Sequence, residues 1–187
     1  MKLRSLTNTW VLAVVMLLGF GATVTRADSG SASYQYLLGS GVVCVIVGPT
    51  GCPDVSSAAN GDTLVISGQG MLSIHPKTVT GTGTFVHKDP AGAVLASGMW
   101  TAEQLLSFTS YGNESDLPPN YEGGLALILV HLSPDTGGPG SDAVLQVNCA
   151  IGKPPAGHSG EFVRLAVRGG PNFNKAVSGN TLYIRQP

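Results

Sequence analysis

The chain has 187 residues, of which 11% are charged and 26 are glycine, and its formal net charge is −1. Nucleic-acid binding depends on clustered Lys and Arg that neutralise phosphates, and the sequence has no such cluster, so nucleic acid is not an expected partner. The length suits a single domain with a sizeable core.

The first 27 residues have the three parts of a secretory signal peptide. Lys2 and Arg4 form a basic start, an apolar run follows over 10–24, and small residues occupy the last and third-last positions before a cut after Ala27. A retained membrane anchor is the alternative, because the run is only slightly short of the about 20 residues that a span needs. We predict a signal peptide over 1–27 and a single exported domain over 28–187.

Cleavage would leave a mildly acidic mature domain. It removes Lys2, Arg4 and Arg26 and no acidic residue, so seven basic side chains remain against eleven acidic ones. The mature part has no basic amphipathic stretch that would hold it on an anionic membrane surface. We therefore expect a secreted, extracytoplasmic domain with no membrane contact after signal cleavage.

Three cysteines lie in the predicted mature chain, and an exported protein meets an oxidising compartment in which cysteines pair. Cys44 and Cys52 are close in sequence and predict a disulfide that closes a small loop. A bridge from Cys52 to Cys149 is the alternative. Because three is an odd number, one thiol is left over or forms a bridge between chains. Cys149 alternates with Leu145 and Val147, which predicts a buried, inert thiol.

Short apolar-alternating runs separated by turn residues predict strands along most of the chain. The clearest signal lies between 68 and 100, where Pro76-Lys77 and Asp89–Gly92 separate three runs and predict a meander. Residues 49–60 are predicted to be a loop. The predicted strands cover 33–38, 42–47, 62–67, 71–75, 82–88, 93–100, 101–111, 125–132, 144–151, 162–168 and 181–185.

The stretch 101–111 carries signals for both helix and strand. Thr101 with Gln104 fits a helix capping box. Ser107 and Thr109 are poor helix formers and good strand formers. We predict a strand.

About ten short strands with near-regular turns predict an all-β fold, an antiparallel meander that closes into a barrel. A two-sheet β-sandwich is the alternative. Glycines inside the strand-like runs favour the barrel, because they allow sharp coiling. The runs 42–47 and 125–132 are apolar on both faces and need cover, which predicts a homo-oligomer.

Histidine is the main candidate for chemistry, and the chain has His75, His87, His131 and His158. No two of them form the close pair on one face that commonly marks a zinc site, so no metal and no cofactor is predicted. The candidates for a catalytic site at the mouth of a barrel are His87, His131 and an acid such as Glu103. The alternative for His131 is a hydrogen-bonded histidine in the core or at a strand end.

Three aromatic side chains are candidates for ligand binding. Trp100, Tyr111 and Tyr121 could stack on a sugar or close an apolar cavity. Packing in the core at a barrel end is the alternative, and it is favoured.

Two hypotheses of function follow. The first is a secreted, non-enzymatic all-β domain that binds a small apolar or carbohydrate ligand, or that has a structural or interaction role outside the cytoplasm. The alternative is an exported barrel-fold enzyme, such as a cyclase, isomerase or hydrolase. A histidine and a carboxylate that converge in one concave, partly apolar pocket would favour the enzyme, and scattered side chains would favour the first hypothesis.

Overall fold

The computed structural model describes residues 31–187, so the predicted signal peptide over 1–27 lies outside the described residues. The described part forms one antiparallel sheet of eleven strands, with one short helix and one 3-10 turn, which confirms the all-β prediction. The strands are β1 (Ser33–Leu38), β2 (Asp54–Ser57), β3 (Thr63–Ser73), β4 (Thr78–Lys88), β5 (Val94–Gly112), β6 (Tyr121–Pro134), β7 (Ser141–Cys149), β8 (Phe162–Val167), β9 (Asn172–Phe173), β10 (Lys175–Ser178) and β11 (Thr181–Arg185).

Six strands are linked by hydrogen bonds into a ring. The meander β3-β4-β5-β6 runs consecutively, and β11 and then β1 connect β6 back to β3. The sheet branches where long strands change partners: β3 pairs first with β2 and then with β1, and β6 pairs first with β11 and then with β7. The core lies inside this arrangement, with the large rings of Tyr36, Trp100 and Tyr183 fully buried.

The predicted meander is confirmed, and its strands are longer than the sequence pattern indicated. The first turn lies between Ser73 and Thr78, and the second lies between Lys88 and Val94. Asp89 closes the second turn, because its carboxylate accepts hydrogen bonds from the backbone N–H groups of residues 91 and 93 at 2.9 and 2.8 Å. Turn chemistry read from the sequence therefore places both hairpins.

The strand predicted over 101–111 is confirmed as part of β5, which has 19 residues. Its register against β6 shifts three times, at Glu103, Leu106 and Tyr111. Each of these positions is an extra residue, and such β-bulges bend a strand and increase its twist. They allow one long strand to follow a curved sheet.

The strand predicted over 42–47 is wrong, because these residues form the helix α1 (Val42–Val47). Gly41 and Gly48 flank it with φ of 61° and 80°, and this backbone favours glycine and interrupts an extended run. Only Val43 is buried, so the apolar run is not covered on both faces. Within residues 31–187 no helix is long and apolar enough to cross a membrane.

The disulfide between Cys44 and Cys52 is confirmed, and the alternative bridge to Cys149 is wrong. The bond ties α1 to the segment just before β2, across a 3-10 turn at Pro49–Gly51.

Cys149 is a free, buried thiol, as its alternation with apolar neighbours predicted. Burial, together with the nearby Glu161 carboxylate, raises its pKa to about 12, so the thiol stays protonated and unreactive at neutral pH.

Two further expectations are corrected by long-range contacts. The predicted loop over 49–60 contains β2, which pairs with both β3 and β10. Asn148 is fully buried although it alternates with the apolar side chains of the predicted strand over 144–151, because the segment after β7 folds back over it. Its amide donates to the carbonyl oxygens of His158 and Gly160 at 3.0 and 2.7 Å, and its oxygen accepts a bond from Tyr111 at 2.9 Å.

Candidate functional site

An apolar cavity of about 140 Å³ lies where the ends of several strands meet. The walls are mostly aliphatic and aromatic side chains, and the polar exceptions are His87 and Ser141. Partly exposed wall residues such as Ala96 bring the cavity to the surface. The lining consists of Leu64, Phe85, His87, Ala96, Leu132, Pro134, Ser141, Leu165, Val167, Pro171 and Phe173.

His87 is held in the cavity wall by a carboxylate. Its Nε2 atom lies 2.8 Å from Oδ2 of Asp62, and the two side chains are 18% and 10% exposed. Asp62 directly precedes β3, and its backbone N–H donates to the side-chain oxygen of Asn60 at 3.2 Å. The edge of the Phe173 ring packs against the imidazole, with centroids 5.1 Å apart. Hydrogen bonding and packing together fix the orientation of the imidazole ring.

The charge on Asp62 determines how the imidazole is bonded. The hydrogen bond with His87, and then one from the side chain of Asn60 to the carboxyl, lowers the pKa of Asp62, so this carboxyl is ionised at neutral pH. An ionised carboxylate only accepts hydrogen bonds, so Nε2–H of His87 is the donor. In the described part of the chain no side chain bonds to Nδ1 of His87. Nε2 of His87 is therefore engaged by Asp62, while the imidazole ring forms part of the cavity wall.

The three predicted catalytic candidates are not brought together. His87 lines the cavity, whereas His131 lies on the outer face of β6, because its neighbours Val130 and Leu132 point inward. Glu103 is exposed in β5 and lies beside His131 on that outer face. The structure therefore joins two of the candidates on one surface and places the third in the cavity.

Of the three aromatic candidates, two pack in the core. Trp100 is fully buried, and its indole N–H donates to the carbonyl oxygen of Ser67 at 3.0 Å. Tyr111 is nearly buried and donates to Asn148. Tyr121 is partly exposed and lines a second cavity of about 180 Å³ beside α1. Neither Trp100 nor Tyr111 presents a ring face to a ligand.

The second cavity has one acidic group in its wall, Glu161. That carboxylate is already occupied: it accepts bonds from the backbone N–H of Ala150 at 2.6 Å, from the N–H of Thr181 at 3.1 Å and from the Thr181 hydroxyl at 2.7 Å. It therefore stabilises the junction of β7 and β11, and it offers less to a ligand than His87 does.

Sequence analysis did not single out Asp62, which is the first residue of the predicted strand over 62–67. Its partner became visible only through the pairing of β3 with β4, in which Thr63 lies opposite Lys88 and Leu64 opposite His87. Register of this kind depends on long-range pairing and cannot be read from one strand alone.

Comparisons of the chain with protein-family models, with curated proteins and with solved structures found no significant match.

Proposed function

We propose that the mature chain is a secreted, barrel-shaped protein that binds one small apolar molecule in the cavity beside His87. The observation that carries the proposal is an apolar cavity with one oriented polar pair in its wall. Ligand sites of soluble proteins commonly combine apolar walls with a few placed polar groups. The ligand class is a compact apolar body that carries one hydrogen-bond donor.

The volume of the cavity limits the size of the ligand. A cavity of about 140 Å³ is comparable to those that hold a single benzene-sized molecule. The donor follows from the His87–Asp62 pair, because an imidazole in its neutral form that donates Nε2–H to a carboxylate accepts a hydrogen bond at Nδ1. Phenol has both properties and serves as the probe, and toluene is the matched molecule without a donor.

We expect phenol to bind with one molecule per chain, measured by titration calorimetry and by NMR shifts of the lining residues. Replacing Ala96 by leucine adds bulk to the cavity wall, and this variant should abolish binding. Ala93→Leu is the control, because Ala93 is exposed in the same hairpin and outside the lining. Equal phenol affinity in the wild type and in Ala96→Leu would refute the site.

The polar pair is tested separately. His87→Phe keeps an aromatic ring in the wall and removes the acceptor, so phenol affinity should fall about threefold to tenfold, the usual worth of one hydrogen bond. The affinity for toluene should be unchanged. If phenol and toluene lose affinity equally, His87 acts only as a wall and the donor-bearing ligand class is wrong.

A second candidate function is hydrolysis by an exported enzyme, and the His87–Asp62 pair favours it. A histidine oriented by a carboxylate is the usual arrangement of a general base, and the hydroxyl of Ser141 lies in the same lining. Hydrolysis of a small aryl ester that is lost in His87→Ala and retained in His75→Ala would support this function. Equal rates of ester hydrolysis for the wild type and His87→Ala would refute the enzyme and favour the ligand-binding function.

A further inference from the structure

Three side chains with metal-binding chemistry meet on the outer face of the sheet, away from the cavity. One ligand atom each of Glu103, His131 and Asp142 lies within 4.8 Å of the other two. His131 Nδ1 and Asp142 Oδ1 are 3.1 Å apart. We propose that these three residues bind one divalent transition-metal ion of the zinc class.

Strand register places the donors side by side. His131 lies directly opposite Asp142 in β7 and opposite Thr101 in β5. Glu103 is the extra residue of the first β5 bulge, and a bulge re-aims the side chain that it carries. Three adjacent strands therefore each contribute one donor. His131 and Asp142 are connected by the β6–β7 hairpin, whereas Glu103 is distant from both in sequence.

The histidine ring is oriented by the backbone beneath it. A Cβ atom at Gly140 would collide with Nε2 of His131, so the glycine leaves room for the ring to lie flat against the chain. This packing directs Nδ1 toward Asp142 and the metal position. The ring is about 40% exposed, so an ion and its water can reach it.

The donor set selects the class of ion. One imidazole nitrogen with two carboxylate oxygens suits zinc and its neighbours, whereas calcium and magnesium prefer oxygen ligands alone and more of them. Ligand atoms around a tetrahedral zinc ion lie about 3.4 Å apart, which follows from bonds of about 2.1 Å. The ligand atoms of the three residues lie within 4.8 Å of one another, and the exposed Glu103 side chain would close the difference by a change of rotamer. Three protein ligands leave the fourth position open for water.

A neighbouring arginine, Arg168, lowers the affinity of the site for a metal ion. Nη1 of Arg168 lies 3.8 Å from Oδ2 of Asp142, and the arginine side chain is 84% exposed. Its positive charge competes with a metal ion for the carboxylate. Removing the charge in Arg168→Ala should strengthen metal binding by about twofold to fivefold, as expected for a solvent-exposed ion pair.

The test is titration of zinc chloride into the exported chain purified without a histidine tag, followed by calorimetry and by competition with a chromophoric chelator. We expect one ion per chain. Glu103→Gln, His131→Ala and Asp142→Asn should each weaken binding at least about tenfold. His75→Ala is the control, because His75 is exposed and outside the cluster, and its zinc affinity should equal that of the wild type.

Glu103→Gln keeps the result interpretable if a substitution at His131 impairs folding, since Glu103 is exposed on the surface. Zinc X-ray absorption spectra of the loaded wild type should show light nitrogen or oxygen ligands and no sulfur, with the outer-shell scattering of one imidazole ring. Absence of binding, unchanged affinity in Glu103→Gln and His131→Ala, or an equal loss in His75→Ala would overturn the site. Phenol binding in the cavity is measured on the same variants and should not change. The proposed zinc site and the proposed ligand cavity are therefore tested independently.

Discussion

Replacing Asp54 by asparagine should raise the free energy of unfolding at pH 9 by about 2–4 kcal/mol and should flatten its dependence on pH. Asp54 opens β2 and is fully buried. Neither of its carboxylate oxygens has a hydrogen-bond partner among the described residues. Burial, with the negative charge of Glu161 as a second cause, raises its pKa from 3.8 to about 8.

The sign follows from proton binding. Between about pH 4 and pH 8 the folded chain holds a proton on Asp54 that the unfolded chain has released. Stability therefore falls as pH rises through this window, and the loss is complete above the folded pKa. Asparagine has no proton to lose, and part of its gain is offset by a buried amide that lacks partners.

Urea unfolding from pH 4 to pH 9 measures this effect. Wild type should lose stability steadily, while Asp54→Asn should lose clearly less stability over the same range. Asp116→Asn is the control, because Asp116 is exposed and should follow the wild type. A wild-type stability that rises from pH 5 to pH 8, or parallel curves for wild type and Asp54→Asn, would contradict the prediction.

Adding one methyl group at Gly83 should lower the unfolding midpoint by roughly 5–12 °C, which corresponds to a cost on the order of 3 kcal/mol. Gly83 lies directly opposite Gly68, and two residue pairs further along the strands Gly70 lies opposite Gly81. A Cβ at Gly83 would collide with the carbonyl oxygen of Ser67 and with the indole nitrogen of Trp100. The same two groups form the hydrogen bond that anchors Trp100.

The two glycine pairs create space for two rings inside the sheet. Trp100 packs over the first pair, and the hydroxyl end of Tyr36 packs over the second, where it donates to the carbonyl oxygen of Thr80 at 3.1 Å. Aromatic rings that cover glycines in this way compensate for the missing side chains. The prediction therefore tests ring packing directly.

The predicted loss is measured by comparing the unfolding midpoints of Gly83→Ala and Gly138→Ala in a scanning calorimeter. A Cβ at Gly138 meets no atom within 4 Å, so this control should melt within about a degree or two of the wild type. Equal midpoints for the two variants would show that the glycine at position 83 is not required by packing.

Much of the local structure could be predicted because it depends on neighbours in sequence. The strand predicted over 33–38 is β1, and its alternating side chains Tyr34 and Tyr36 are both buried. Turn residues placed the hairpins of the meander, and closeness in sequence favoured the Cys44–Cys52 pair. Strand glycines were recognised as special, but their role in receiving two rings was not visible until the strands were paired.

The candidate site could be predicted only in part. His87, His131 and Glu103 were singled out as residues able to do chemistry, but their sequence positions do not show which face of the sheet each occupies. Asp62 lies beside His87, and Asp142 lies beside His131, only because of the register between neighbouring strands. A shift of one residue reverses the face of every side chain in a strand, so long-range pairing decides which groups meet.

Composition, alternation and turn chemistry by themselves determined an all-β chain with a meander, a local disulfide and a buried thiol, because short-range sterics and burial set these features. Tertiary structure decided that Asp54 is a buried acid, and that a cavity and a cluster of three side chains with metal-binding chemistry occupy opposite faces of one sheet. Each of these depends on contacts between residues far apart in the chain, and no local pattern specifies them.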